Sequence, residues 1–219
     1  MRVLTEKGLT EMDRAELEEL AAGFSSVCVD IGTGDGKRIY RIAAKSPERL
    51  YIGIDPVREN MQETARKKSR KPAKGGIANL LLVVGAVEEL PEELYGVAGE
   101  VTVFFPWGSL LECIVKPVGE SMEQIRRIAR NDADFTFVTT YSTSYESAEI
   151  DRRQLPDISI EYLRTEYSQR LSGLGFEVSS VRQLTQSEVM DIGSQWAKRL
   201  AGGRKRDYFI ITGKISSGI

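Results

Sequence analysis

A chain of 219 residues, 41% hydrophobic and 28% charged, can bury one sizeable core and is too apolar for disorder. It has no histidine, which excludes Ser-His-Asp and Cys-His nucleophilic catalysis and any histidine general base, and two cysteines without histidine leave no zinc site. Its 30 basic and 32 acidic residues nearly cancel, to a net charge of -2, so a polyanionic partner has to be read from the arrangement of charge.

Acidic residues crowd a first predicted helix (Glu11, Asp13, Glu16, Glu18, Glu19). "SVCVDIG" is a short apolar run ending in glycine, and "GKRIYRIAAKS" then has helical spacing, with Ile39, Ile42 and Ala43 on one face. "RLYIGIDP" predicts a second buried strand, stopped by Pro56, with a helix following to about Lys71. "NLLLVVGAV" and "EVTVFFP" predict a third and a fourth strand. Ser121 and Gln124 form a capping-box pattern at the head of "SMEQIRRIARN", and "DFTFVTTYS" alternates as a fifth strand. "ISIEYLRTEYSQRLSGLG" predicts a helix closed by Gly173 or Gly175, and "FEVSSVRQL" a sixth strand. Thr185 and Glu188 form a second capping box, and "RDYFIITGKI" closes the chain as a last strand. Buried strands alternating with helices imply an α/β, doubly wound, mostly parallel sheet, whose ligands bind beyond the carboxyl ends of the strands.

Three acids and a glycine loop fall at those ends. Gly32, Gly34 and Gly36 in "VDIGTGDGKRIY" permit a tight turn and close approach of the backbone to a ligand. Asp30, just before them, would repel a pyrophosphate but can accept from an amino acid ammonium. Asp55 can accept from both hydroxyls of a ribose, or serve as a helix cap before Pro56. Glu88 can take an adenine amino group, or simply be solvated. Trp107 in "VFFPWGS" ends the fourth strand after a proline, where a ligand is expected rather than core. Basic residues cluster without acids in "ARKKSRKPAKGG" and "AKRLAGGRKR". Such runs repel themselves unless a phosphate backbone supplies the missing charge, although a solvated helix face is the common alternative.

No apolar run approaches the ~18 residues of a membrane span, the start is too acidic for a signal or transit peptide, and Cys28 and Cys113 sit in apolar contexts. A cytoplasmic protein with reduced thiols is expected.

The glycine loop and the strand-end acids resemble the class I S-adenosylmethionine-dependent methyltransferases over residues 25–215. This implies a Rossmann-like, seven-stranded, mostly parallel sheet with the last strand antiparallel. "DIGTGDGKRIY", "YIGIDPVREN", "RKPAKGG", "FPWGSLLE" and "WAKRLAGGRKR" together resemble the aminoglycoside-resistance 16S ribosomal RNA (adenine-1408-N1)-methyltransferases across the chain. What this resemblance implies is one domain over residues 1–219, with an N-terminal extension (1–24) and RNA-contacting segments near 66–76 and 142–160. Asp30, Gly32, Gly34, Gly36, Asp55, Val87, Glu88 and Phe104 would surround S-adenosylmethionine, with Ser109 and Ser194 near its methionine end. Trp107 and Trp196 would clamp a flipped adenine, and main-chain carbonyls near Phe105 and Pro106 would accept from its amino group. Arg153 would hold the displaced phosphate. Arg66, Lys67, Arg70, Lys71, Arg199, Arg204 and Arg206 would grip 16S rRNA on the small (30S) ribosomal subunit at its decoding site. Val87, Phe104 and Ser109 stand where alanine, leucine and threonine are expected in some relatives. Two other readings stay open: a transfer RNA guanine methyltransferase on the same fold, and a non-catalytic ribosome-binding assembly factor.

Overall fold

Apolar runs that do not alternate make strands covered on both faces, and such strands form the centre of the sheet. β3 (Val27–Ile31), β4 (Leu50–Asp55) and β5 (Leu80–Val84) are buried at every residue, and β6 (Ala98–Phe104) at most of them. The structure, a computed structural model, describes residues 1–117, 119–193 and 206–216. β5, β4, β3, β6 and β7 (Ala129–Thr139) lie side by side and parallel, so their carboxyl ends share one edge. β9 (Tyr208–Ile215) runs antiparallel to both β7 and β8 (Phe176–Leu184), as expected of the last strand. Phe135, Phe137 and Phe176 pack with ring centroids 4.8–6.2 Å apart in the core beneath this half of the sheet.

Among the described residues the sheet has nine strands, two more than the seven expected. β1 (Arg2–Thr5) and β2 (Gly8–Glu11) form a hairpin that pairs with the free edge of β5 at Val3 and Val83. Val3 and Leu4 are buried there, which gives the hairpin its anchorage. Glu11 therefore lies in β2 and Asp13 caps the helix, which begins only at α1 (Arg14–Ala22) with a capping box to Glu16.

The helices cover both faces. α2 (Lys37–Ala43) buries Ile39 and Ala43 as expected, but Tyr40 as well, while Ile42 is only partly covered. α3 (Arg58–Lys68) ends before Lys71, and a short 3-10 turn (Pro72–Lys74) follows. α4 (Gly108–Val115) starts beside Trp107. α5 (Glu120–Ile128) is capped by Gly119 and not by a capping box, because it starts two residues early and puts Ser121 inside the first turn. Gln124 instead accepts from the Tyr95 hydroxyl at 3.3 Å. α6 (Thr143–Arg153) follows β7, and α7 (Ile160–Tyr162) runs through a π-helical turn (Leu163–Tyr167) into α8 (Ser168–Gly173). α9 (Gln186–Ile192) has the expected capping box from Thr185 to Glu188. Among the described residues no helix is long and apolar enough to cross a membrane.

Candidate active site

Strand order reverses on either side of β3, and a crevice opens where the chains leaving β3, β4 and β6 diverge. It is a cavity of about 630 Å³, walled by the glycine turn, Asp55 to Val57, Gly85 to Glu88 and Phe104 to Trp107. Asp30, Gly32, Gly34, Asp55, Val87, Glu88, Phe104, Phe105, Pro106, Trp107 and Ser109 all line it, so one site gathers most of the donor and base contacts singled out from the sequence. Gly36 does not. It caps α2 with φ +68°, and a Cβ there would lie 3.2 Å from Leu82 and 3.3 Å from Thr64. Its lack of a side chain serves the packing of α2 against Leu82 of β5 and Thr64 of α3. Gly32, with φ +73°, is equally constrained, since a Cβ would fall 2.5 Å from the Leu110 side chain.

Two of the strand-end acids, Asp30 and Asp55, are engaged within the protein. Asp30 is buried, accepts from the Thr102 hydroxyl at 2.6 Å and pairs with Arg38 Nη1 at 3.2 Å. Both donors reach Oδ1, so the carboxylate is fixed in the cavity wall through one of its two oxygens. Arg38 lies with its guanidinium carbon 3.4 Å from the centroid of the Phe104 ring. In the sequence this residue carries a single local signal, a cation directly after a glycine turn. Asp55 accepts from the Gly34 N–H at 2.9 Å and from the Val57 N–H at 3.0 Å, tying β4 to the glycine turn. The α3 cap is Val57 itself, so Asp55 steadies the helix entrance from two residues upstream. Burial pushes the Asp55 carboxyl above its ordinary range, against the opposing hydrogen bonds from Val57, Gly34 and Asn60. Val87 is buried, and Glu88 stands exposed on the rim.

Trp107 is 54% exposed, among the most exposed large apolar side chains of the described residues. The preceding residue pair explains how it gets there. Phe105 adopts φ +50°, a left-handed conformation that costs a non-glycine residue about 1–3 kcal/mol. Its N–H donates to the Val138 carbonyl at 2.8 Å, and its ring is buried edge-on against Tyr208 at 6.3 Å. That burial offsets the strain, turns the chain out of β6 and presents Trp107 at the cap of α4. Trp196, Ser194, Arg199 and Arg204 lie outside the described residues.

The expected RNA contacts divide into two groups. Arg66, Lys67, Arg70 and Lys71 are exposed at the end of α3 and beyond it. The Lys67 ammonium sits 4.3 Å from the Tyr40 ring centroid, and the Tyr40 hydroxyl donates to the Gly75 carbonyl, which pins the basic turn to α2. Arg153 and Arg206, by contrast, are mostly covered and paired within the protein. Arg153 bridges Glu112 of α4, at 3.0 Å, and Glu149 of α6. Both carboxylates hold its guanidinium above the usual arginine range. Arg206 forms a two-pronged pair with Glu146, with side chains 13% and 12% exposed. Neither is the open cation expected, because each has carboxylates from a distant segment packed on it. Arg153 nevertheless sits at the foot of the Trp107 turn, its Nη2 3.8 Å from where a Cβ on Gly108 would be.

An acidic cavity with hydroxyl acceptors, next to a presented indole, is suited to hold a cationic nucleoside against a flat ring. Known proteins agree with that chemistry. The NpmA family model, described as 16S rRNA (adenine(1408)-N(1))-methyltransferase, matches residues 2–215. A 16S rRNA (adenine(1408)-N(1))-methyltransferase of Escherichia coli is 42% identical over 217 residues, 99% of each chain. One from Streptoalloteichus tenebrarius is 33% identical, covering 99% of this chain and all of its own. Among solved structures, the 16S rRNA methyltransferase KamB superposes with a TM-score of 0.91 at 30% identity, over 99% of this chain and 100% of its own. A mutant 16S rRNA (adenine(1408)-N(1))-methyltransferase from Catenulisporales acidiphilia, solved with cosubstrate SAM, gives 0.89 at 35% identity, over 99% and 97%. With fold, cavity and near full-length likeness in agreement, the chain belongs to the 16S rRNA (adenine(1408)-N(1))-methyltransferase family.

Proposed function

We propose that the protein transfers a methyl group from S-adenosylmethionine to ring nitrogen 1 of adenine-1408 in the 16S rRNA of the small ribosomal subunit, and that this confers aminoglycoside resistance on cells whose cytoplasmic ribosomes it modifies. The observation that carries the reading is the exposed Trp107 at the mouth of a cavity whose inner wall is the glycine turn and the strand-end acids.

The residues present fit the donor. Its volume class suits the cavity, four carboxylates (Asp30, Asp35, Asp55, Glu88) suit its cationic centres, and a Cβ on Gly34 would meet nothing within 4 Å, so the backbone is open there. When bound, S-adenosylmethionine supplies a methyl group on a positively charged sulfur. Adenine nitrogen 1 carries its own lone pair at neutral pH, so no histidine or other general base is required. The protein contributes orientation, which is worth ~7–11 kcal/mol when reacting atoms are held near contact. Trp107 stacks on the extruded base, Trp196 is assigned the opposite face, and the ring face favours the positive charge that builds on adenine. Carbonyls of Phe105 and Pro106 accept from the adenine amino group and reject guanine, which presents an acceptor there. Asp55 takes the ribose hydroxyls and Glu88 the donor's adenine.

Labelled donor incubated with intact small subunits or naked 16S rRNA, followed by mapping of the modified base, tests the proposal. One methylated adenine at position 1408, preferred in the intact particle, is the expected result. Label on transfer RNA would favour the guanine methyltransferase reading, and subunit binding without transfer the assembly-factor reading.

Two further outcomes follow. Asp55 accepts ribose hydroxyls only as a carboxylate, and its raised pKa means it takes up a proton earlier on acidification than an ordinary Asp. Its ionised form costs stability at neutral pH, a cost relieved as the pH falls. Donor affinity measured by calorimetry should therefore weaken as the pH drops toward and through this raised pKa, and the Asp55→Asn variant should lose that dependence. Lys71 is exposed and enters no ion pair with a described residue. Lys71→Ala should weaken subunit binding and make the slope of log affinity against log salt shallower by about 1, the signature of one lost phosphate contact. An unchanged slope would return Lys71 to a solvated helix face.

A further inference from the structure

The wall of the cavity carries four carboxylates and, among the described residues, a single cationic side chain, Arg38. Arg38 occupies the second position of α2, directly behind the glycine turn. Its side chain is only 13% exposed. Phe104 covers one face of the guanidinium at 3.4 Å, and Nη1 donates to Asp30 at 3.2 Å. Nε is buried with no acceptor. Asp30 meanwhile has a second and shorter donor in the Thr102 hydroxyl at 2.6 Å. A guanidinium offers five N–H groups in one rigid plane, and here one of them has an assigned partner. Desolvating a cation is costly, and a single 3.2 Å ion pair to a carboxylate oxygen that the Thr102 hydroxyl already engages is a poor return for it. The arrangement is that of an anion site held in shape by its neighbours.

S-adenosylmethionine carries one anionic group, the carboxylate of its methionine end. In a wall of Asp30, Asp35, Asp55 and Glu88, that group is repelled everywhere except at Arg38. We propose that Arg38 positions the methyl donor by receiving its carboxylate, with Asp30 and Phe104 fixing the plane of the guanidinium. This rests on the cavity being the donor site. The consequence is selectivity for donors that keep the amino acid carboxylate over donors that lack it.

Binding of S-adenosylmethionine and of its decarboxylated analogue to the full-length protein, both measured by calorimetry, tests this without reference to turnover. Wild type should prefer the carboxylated ligand by about 10- to 100-fold, the range of a charge-assisted hydrogen bond. Arg38→Met keeps an apolar stem against Phe104 and removes the charge, and it should bring the ratio of the two affinities close to one. Arg38→Gln retains a hydrogen-bond donor for Asp30 and should lose the preference too, so it decides the matter if the Met variant does not fold. Variants that weaken both ligands by the same factor and keep the wild-type ratio would show Arg38 to be only the partner of Asp30, and would overturn the proposal. Wild-type protein that binds neither ligand would overturn the cavity assignment itself and the role of Arg38 with it.

Discussion

Replacing Trp107 by alanine is expected to leave the protein folded and able to bind S-adenosylmethionine, while methylation of small subunits falls by about 100-fold or more. The first half follows from exposure. With the residue already 54% exposed and no side-chain cap to α4, little burial is lost on truncation. The second half follows from what an extruded base requires. Unstacking a nucleotide costs a few kcal/mol, and one aromatic face returns ~1–3 kcal/mol of it. Losing that face lowers the population of flipped adenine and loosens the alignment of nitrogen 1 with the methyl group, where a small displacement alone costs about 100-fold. Trp107→Phe keeps a flat face and should retain most of the activity. Single-turnover transfer of labelled methyl, set beside calorimetric donor affinity, separates the two effects. A Trp107→Ala enzyme as fast as wild type would remove the indole from the mechanism. One that loses donor affinity in proportion to rate would make it part of the donor site instead.

Asp55→Ala should have the second largest effect, and in the opposite place. Both of its oxygens are committed, to the N–H of Gly34 at 2.9 Å and of Val57 at 3.0 Å, within a buried strand end. Truncation leaves two donors facing a void and cuts the tether between β4 and the glycine turn. A buried unsatisfied group costs ~1–3 kcal/mol, which in a chain of this size lowers Tm by several degrees. Donor affinity should fall by about 100-fold, because the ribose loses its acceptor and the turn its fixed shape. Calorimetry and thermal unfolding read the two losses independently. Donor binding that survives within a few-fold, in a variant whose Tm has dropped, would leave Asp55 as a structural clip and take the ribose away from it.

The centre of the sheet was legible because its strands are apolar without alternation, a pattern that only a doubly covered parallel strand produces. The glycine turn, Asp55 and Trp107 were legible for a related reason: each stands where such a run stops. The N-terminal hairpin was not, since its strands are four residues long and its turn, Glu6-Lys7, carries none of the usual Asn-Gly signals. The capping box at Ser121 misled because the same residues also fit the interior of a first turn. Arg38 was invisible for a deeper reason. Its meaning comes from Phe104 and Thr102, which β6 brings beside β3 from far along the chain. Likewise the carboxylates that occupy Arg153 and Arg206 come from 41 and 60 residues away, so a basic run reads as open until the fold supplies its partners.

The left-handed backbone at Phe105 has a bearing on how freely this protein can drift in sequence. The aim of the indole is set two residues upstream, by a residue whose ring is turned into the core. Position 107 can therefore exchange one planar ring for another and keep its bearing. At 105 no β-branched side chain can follow the reversed chain direction, and a small one would leave nothing buried to hold the bend. The less conspicuous aromatic of the pair is the one with fewer substitutes.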